Sequence, residues 1–228
     1  MRTCLALVLL ITTLTILQSC EGRKVTTSYG KMRVINASYL SGGVNIDVDY
    51  KKVYATDIEY LNYSYFAPYV ATRHTLRIKD INGNTLGDTA VTIGQDKHYT
   101  VVVFDSSNAI RYRIYTENFI TPTGSNYKMR FLNLSNSAPM VDLVNGKTGA
   151  LVHTGYKNAD FTEFTQFSAD NSMYYSIRES ALPQATLYTQ APREFKPGVF
   201  YTMFLKGNPG SLGIDSLGLF VIENNQDY

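Results

Sequence analysis

Short runs of β-branched and aromatic residues recur along this chain between turn-forming residues, a pattern typical of antiparallel β-sandwiches. Apolar and polar residues alternate at 44–48, 75–78 and 110–115, which predicts strands with one face inward and one face outward. Long helical periodicity is absent from the sequence. The predicted strands are 32–36, 44–48, 75–78, 99–104 and 110–115.

Asn82 and Gly83 lie between two of these apolar runs. They predict a hairpin turn, because both residues tolerate a positive φ angle. Asp80 begins a stretch that resembles the start of a helical calcium loop, but the twelfth position counted from it is Val91 instead of the required glutamate. We therefore expect a turn and no metal at this place.

An internal repeat divides the chain. The run Met-Arg-Val-Ile-Asn-Ala-Ser at 32–38 returns 97 residues later (129 − 32) as Met-Arg-Phe-Leu-Asn-Leu-Ser at 129–135. Each copy is followed by a strand with an aspartate, Asp47 in the first and Asp142 in the second, which we place at equivalent positions. Further matches pair 78–80 with 177–179, 97–104 with 199–205, and 116–118 with 222–224.

Five matches in the same order indicate a tandem duplication. The copies join at the turn-rich stretch 121–125, whose composition is typical of a domain linker. The sequence thus predicts an all-β protein with two tandem antiparallel β-sandwich (immunoglobulin-like) domains, at 31–121 and 125–228.

The N-terminus has the parts of an export signal, with Arg2 followed by an apolar core from Leu5 to about Leu17. This core is too short to cross a bilayer, which takes ~20 apolar residues. No Ala-x-Ala-like cleavage site follows it. Instead, Leu17-Gln18-Ser19-Cys20 resembles a bacterial lipobox.

That resemblance implies removal of residues 1–19 and attachment of lipid to Cys20, followed by a tether at 20–30. Two or more acyl chains anchor a protein stably. A disulfide framework is not expected, because Cys4 lies in the discarded segment and leaves one cysteine in the mature chain. The alternative is that Cys20 is an incidental thiol at the end of an ordinary signal peptide.

Composition and charge narrow the function classes. The 18 tyrosines and the absence of tryptophan, with many Thr, Val and Ile, favour β-structure. Removing 1–19 takes away Arg2, so 21 basic side chains become 20 against 19 acidic ones. A nearly neutral chain without a basic cluster argues against nucleic-acid binding.

Several of these segments resemble the bacterial family called domain of unknown function 4397. They are the opening strand 33–38, the Val-x-Ile-Asp strand that ends at Asp47, the strand 99–102, and the aromatic stretches 63–66 and 161–164. The resemblance implies tandem β-sandwich domains in exported proteins and lipoproteins. It transfers no active site, because the family has no assigned chemistry.

Six tyrosines form the candidate ligand-binding cluster, since exposed aromatic rings bind sugars or peptides by stacking. The alternative is that they fill both faces of a sheet, as tyrosines in β-proteins commonly do. The six are Tyr50, Tyr54, Tyr60, Tyr63, Tyr65 and Tyr69.

Catalytic motifs do not stand out in the sequence. His74 and His98 lie at strand starts, where we expect a histidine at the solvent edge. Asp47 and Asp142 are the candidates for a carboxylate site, against the alternative that each ties down a loop. We therefore expect no enzyme activity, no cofactor and no metal.

Together these observations predict a lipid-anchored lipoprotein of the cell envelope, on the outer membrane facing periplasm or surface. We expect it to act as a non-catalytic binding or structural module, with the membrane and an envelope protein or glycan as partners. The two alternatives are a glycan-binding accessory protein that uses the tyrosine cluster, and an enzyme with a carboxylate site near Asp47 or Asp142.

Overall fold

The computed structural model describes residues 27–224. Strands make up most of this range, and its one helical segment is a 3-10 turn at Gly213–Asp215. The all-β fold predicted from the sequence is therefore confirmed. Among the described residues, no helix is long and apolar enough to cross a bilayer.

The first half of the described chain forms two sheets from ten strands. They are β1 (Tyr29–Ala37), β2 (Gly43–Val48), β3 (Lys51–Lys52), β4 (Ile58–Glu59), β5 (Asn62–Tyr63), β6 (Ala67–Val70), β7 (Arg73–Asp80), β8 (Thr85–Thr92), β9 (His98–Ser106) and β10 (Ala109–Glu117). The first inner sheet has the order β10-β9-β1-β5, and β6 also pairs with β1. The first outer sheet has the order β3-β2-β7-β8, and β4 also pairs with β2.

The second half repeats this plan with two four-stranded sheets. Its strands are β11 (Asn126–Asn133), β12 (Val141–Asn145), β13 (Leu151–Tyr156), β14 (Thr165–Ser168), β15 (Asp170–Met173), β16 (Tyr175–Glu179), β17 (Leu182–Thr189), β18 (Arg193–Phe195), β19 (Phe200–Lys206) and β20 (Gly218–Glu223). The second inner sheet has the order β14-β11-β19-β20, and the second outer sheet has the order β13-β12-β16-β17. The strands β15 and β18 form a separate ribbon.

Each half has an apolar core between its inner and outer sheets. In the first half, Met32 and Val34 of β1 pack with Ile46 of β2 and Ile78 of β7. The second core is built in the same way from β11, β12, β16 and β19. These residues alternate along their strands, because successive side chains of a strand point to opposite faces.

A third core joins the two inner sheets face to face. Ile35 and Val102, on the other faces of β1 and β9, pack with Leu132 of β11 and Phe204 of β19. At one end of this contact, the ring of Phe119 from the connection 118–125 lies 5.1 Å from that of Phe200. Residues 27–224 therefore form a stack of four sheets, beside the β15–β18 ribbon, with the inner sheets covered on both faces.

One pair of strands in each half is parallel, which the prediction of antiparallel sheets did not include. β1 runs parallel to β9, from Lys31 opposite His98 to Ala37 opposite Phe104, and β11 runs parallel to β19. A parallel pair requires a long crossover, and the chain builds the outer sheet between these strands. Strands of a parallel pair are usually buried on both faces, as these are.

Two local expectations also differ from the structure. β1 begins inside the stretch predicted as a tether, because Tyr29 and Gly30 pair with Val70 and Tyr69 of β6. The polar residues Asn45 and Asp47 of β2 are buried instead of facing solvent. By contrast, Gly83 has a φ of +82° in the turn between β7 and β8, so the hairpin prediction is confirmed.

Candidate functional site

The six tyrosines of the predicted cluster do not share one surface. Tyr54 lies in the first core and Tyr69 packs against that core. Burial raises the pKa of the Tyr54 hydroxyl to about 12. These two tyrosines therefore belong to the structural alternative.

Three of the six are exposed, and they line two neighbouring cavities that share Asp57. Tyr63 and Tyr65 line a cavity of about 320 Å³ beside the 54–58 loop. Tyr50 lines another cavity, of about 360 Å³, on the first outer sheet. There the guanidinium of Arg77 lies 5.3 Å from the centre of the Tyr50 ring, within the range of a cation–π contact.

Asp47 lies in the same cavity as Tyr50. Its carboxylate forms an ion pair with Lys79, at 2.5 Å between Oδ2 and Nζ. The side chain of Asp47 is almost wholly covered, whereas that of Lys79 is about a third exposed. Lys79 thus neutralises Asp47 at the place where the sequence suggested a catalytic carboxylate.

Asp142 ties down its own sheet in the second half. Its Oδ1 accepts hydrogen bonds from the backbone N–H of Gly155, at 2.9 Å, and from the hydroxyl of Ser180, at 2.6 Å. The sequence match placed Asp142 at the position equivalent to Asp47, and the structure shows that this is wrong. Ile46 pairs with Ile78 and Leu143 pairs with Ile177, so the matched strands set Asp142 against Asn45.

The structure places Asn45 and Asp142 in the same role. The side-chain amide of Asn45 donates to the carbonyl oxygens of Tyr54 and Thr56, and so holds the loop beside β2. The equivalence was missed because the repeated position carries an amide in one copy and a carboxylate in the other.

His74 is buried, and the expectation of a solvent-edge histidine is wrong for it. Its Nδ1 lies 2.7 Å from the carboxylate of Asp49, and its Nε2 lies 2.8 Å from the carbonyl oxygen of Val70. Burial opposes the charged form, but these two contacts together raise the pKa of His74. Among residues 27–224, no three His, Cys, Asp or Glu side chains are placed to hold a metal ion.

A buried ion pair links the two halves, and sequence reasoning missed it. Arg130 of β11 donates from both terminal nitrogens to the carboxylate of Glu117, at 2.7 and 2.8 Å, and from Nε to the hydroxyl of Thr202. Glu117 is the last residue of β10 in the first half. The arginine of the second half is therefore neutralised by the first half.

Arg33 makes the reciprocal contact from the first half. Its Nε donates to the hydroxyl of Thr100, and its Nη2 donates to the side-chain oxygen of Asn224, which follows β20. Burial, together with the charge of Arg130, lowers the pKa of Arg33 to about 10, against the attraction of Glu117. We call Arg33, Arg130, Glu117 and Asn224 the crossed arginine contacts.

The crossed arginine contacts also correct the register of the repeat. Glu117 lies opposite His98, and the backbone N–H of Asn224 donates to Phe200, the residue that matches His98. Glu117 is thus equivalent to Asn224, whereas the sequence match set it against Glu223. The sequence did carry a signal for this buried contact. Each of the repeated apolar runs, 32–38 and 129–135, has an arginine at its second position, Arg33 or Arg130.

Tyr60, the sixth tyrosine, lies at the opposite end of the interface. It lines a cavity of about 220 Å³ between the two halves, which we call the interface cavity. The ring of Tyr39 meets the ring of Tyr60 edge to face, with centroids 5.7 Å apart. The polar lining residues are Tyr39, Tyr60, Asp105, Asn108, Asn136, Asn208 and Asp215.

The interface cavity contains two carboxylates from different halves. Asp105 is buried at the end of β9, where its oxygens accept from the hydroxyl of Ser38 and the backbone N–H groups of Tyr39 and Leu40. Desolvation by burial and the charge of Asp215 raise the pKa of Asp105, against these hydrogen bonds.

The predicted lipid-attachment residue, Cys20, lies outside the described residues.

Comparison with known proteins adds a family. No curated protein matches the chain. One similar solved structure, a leucine-rich repeat protein from Bacteroides thetaiotaomicron VPI-5482, is 11% identical and has a TM-score of 0.17. The match covers 75% of this chain and 24% of that one, so this chain spans about a quarter of that protein, and a similarity this weak transfers neither fold nor function.

The family model described as "Domain of unknown function (DUF4397)" matches residues 30–144. The matched range begins in β1, includes the rest of the first half, and ends in β12. It also contains Arg33, Glu117 and Arg130. This chain belongs to the DUF4397 family.

Proposed function

We propose that this protein is a lipid-anchored lipoprotein of the cell envelope that acts as a non-catalytic binding or structural module. In this proposal residues 1–19 are removed, Cys20 carries the lipid, and the described fold stands on the outer membrane. The lipobox-like sequence at 17–20 supports the anchor.

The observation that carries the non-catalytic assignment is the bonding of the two candidate carboxylates. Asp47 is neutralised by Lys79, and Asp142 holds Gly155 and Ser180. They lie on β2 and β12, which belong to different outer sheets. A general acid or base must reach the proton that it transfers, and both groups already have structural partners.

The start of β1 limits the length of the tether. Residues 21–28 separate Cys20 from Tyr29. At ~3.3–3.6 Å per extended residue, eight residues span at most ~29 Å. In this proposal the start of β1 lies no farther than ~29 Å from the lipid-bearing residue.

The test of the anchor compares two cysteine substitutions in the full chain. We expect Cys20→Ala to shift the protein from the detergent phase to the aqueous phase of a phase-partition assay and to stop metabolic labelling with fatty acid. Cys4→Ala is the matched control, because it makes the same change within the discarded segment. Unchanged labelling of Cys20→Ala would overturn the lipid anchor.

Glycan binding is the second candidate function, and the exposure of Tyr63 and Tyr65 beside a cavity favours it. Aromatic rings stack on the apolar faces of sugars and carry a polar hydroxyl at their edge. A glycan array probed with the full chain tests this candidate. Absence of binding across the array would refute glycan binding and leave the anchor proposal standing.

A further inference from the structure

We propose that the interface cavity binds one neutral sugar unit at the end of a glycan, between the two halves of the protein. This inference rests on the proposal that the protein binds glycans, and it moves the binding site from the cavity beside Tyr63 and Tyr65 to the interface cavity. It places the sugar at Tyr39 and Tyr60, instead of at the more exposed Tyr63 and Tyr65. The chemistry of the lining, the shape of the cavity and its position in the fold carry the inference.

The lining combines acceptors and donors. Asp215 accepts a hydrogen bond from the side-chain amide of Asn208, at 2.8 Å. The side-chain amide of Asn136 donates to the side-chain oxygen of Asn108, at 3.0 Å. Each of these bonds uses one of the two N–H groups of an amide, so a second donor remains on Asn136 and on Asn208.

A hydroxyl group matches such a mixed lining, because it donates one hydrogen bond and accepts others. A metal ion would use the carboxylate oxygens but would leave the amide donors unpaired, and calcium prefers oxygen ligands throughout. An ammonium group only donates, so it would meet the same mismatch. The lining therefore favours a ligand with several hydroxyl groups over either kind of cation.

Tyr39 and Tyr60 supply the aromatic surface that a sugar ring requires. Tyr39 is about half exposed at the rim, and its contact with Tyr60 fixes the angle between the two rings. Apolar atoms of Ala37 and Leu134 also line the cavity. Burial, with the charges of Asp215 and Asp105, raises the pKa of Tyr60; its hydroxyl, like that of any tyrosine at neutral pH, can both donate and accept.

The size and the rigidity of the cavity suit one ring. Its volume of about 220 Å³ is room for roughly seven waters at ~30 Å³ each, and it is below the ~300–1,000 Å³ of pockets for drug-sized ligands. The amide of Asn158 donates to the carbonyl oxygens of Asp105 and Ser135, which lie in different halves. These bonds preform the cavity, and a preformed site avoids the cost of ordering on binding.

The position of the cavity suits an anchored protein. β1 runs from Tyr29 to Ala37, and Ala37 lines the cavity. Nine residues at ~3.3 Å each make the strand about 30 Å long. A lipid at Cys20, with a tether of at most ~29 Å, would therefore let the cavity lie up to about two strand lengths from the membrane, where a glycan end has access.

The experiment uses the full chain in a detergent without a sugar headgroup. A panel of neutral methyl glycosides and methyl N-acetylhexosaminides is screened by saturation-transfer NMR, and binding sugars are titrated by calorimetry. We expect Asp215→Asn and Tyr39→Ala each to weaken binding by roughly tenfold, the usual result of losing one good contact. Asp57→Asn and Tyr65→Ala are matched controls at the cavity beside the 54–58 loop, and we expect them to bind as the unaltered chain does.

Each outcome decides between the sites. Loss of binding in the controls, with retention in Asp215→Asn and Tyr39→Ala, would overturn the inference and leave glycan binding in place at Tyr65. No binding of any sugar by a chain with an unchanged melting temperature would overturn both. A third outcome is that calcium or methylammonium binds and that Asp215→Asn and Tyr39→Ala weaken this binding. That outcome would overturn the sugar and make a cation the ligand of the interface cavity.

Discussion

Removing the carboxylate of Glu117 tests whether the two halves form one cooperative unit. In Glu117→Ala, Arg130 keeps its buried position and its bond to Thr202 but loses two hydrogen bonds of 2.7 and 2.8 Å. The side chain of Glu117 is wholly covered and that of Arg130 is 5% exposed, so the guanidinium that loses its partner has almost no contact with bulk water. Arg33, with an amide as its own partner, lies nearby and repels Arg130.

The expected loss of unfolding free energy is about 3–5 kcal/mol, the usual cost of removing one partner of a buried ion pair. With a denaturant slope of ~2 kcal/mol per molar urea, the midpoint of unfolding would fall by about 2 M. Circular dichroism follows the loss of strands, and tyrosine fluorescence follows the loss of the cores. Both signals should move together, because the third core joins the inner sheets of both halves.

Two further variants make the reasoning refutable. Asp170→Ala is the matched control, since it breaks the partly exposed pair with Lys147 and the exposed hydrogen bonds from Ser172, and it should cost at most ~2 kcal/mol. Glu117→Leu combined with Arg130→Met replaces the buried charges with apolar groups and should regain most of the stability. If Glu117→Ala costs no more than Asp170→Ala, the buried pair does not join the halves.

Two other substitutions test the contacts of His74 and of Arg33. Asp49→Asn should lower the pKa of His74, as read by NMR titration of the ring. Since the folded pKa of His74 is raised, its contribution to stability is complete below the unfolded value of ~6.5 and is lost as the pH rises through the folded value. In the substituted protein this loss should disappear, and an unchanged titration would contradict the role of Asp49. The crossed arginine contacts hold two guanidinium groups and one carboxylate. Asn224→Asp gives Arg33 a carboxylate of its own and should raise the unfolding free energy by about 1–2 kcal/mol, as measured in urea. A lower unfolding free energy would contradict the idea that Arg33 lacks a counter-charge.

Local patterns along the sequence were enough to predict the strands and the hairpin. The runs at 32–36 and 44–48 lie within β1 and β2, and Asn82 and Gly83 connect β7 with β8. These predictions depend on period-two alternation and on turn chemistry, which act between neighbouring residues.

The packing of the two inner sheets against each other could not be predicted in this way. It depends on the face of each strand that points away from its own core, and on which surface covers that face. A sandwich with a single core gives Ile35 and Val102 nothing to pack against, and the second half supplies their partners. The tyrosine cluster failed for a related reason. Tyr54 and Tyr65 are close in sequence but differ in burial, since the chain between them turns through β4 and β5.

The repeat itself explains why neither half is expected to stand alone. Each half supplies the residue at the end of its last strand to the arginine of the other half: Glu117 to Arg130, and Asn224 to Arg33. Loss of either half would leave a guanidinium without its partner on an apolar sheet face. The walls of the interface cavity come from both halves. The cavity begins at Ala37, four residues or ~13 Å along β1 from Arg33. The crossed arginine contacts and the cavity thus both lie in the interface between the halves, although none of these four side chains lines the cavity.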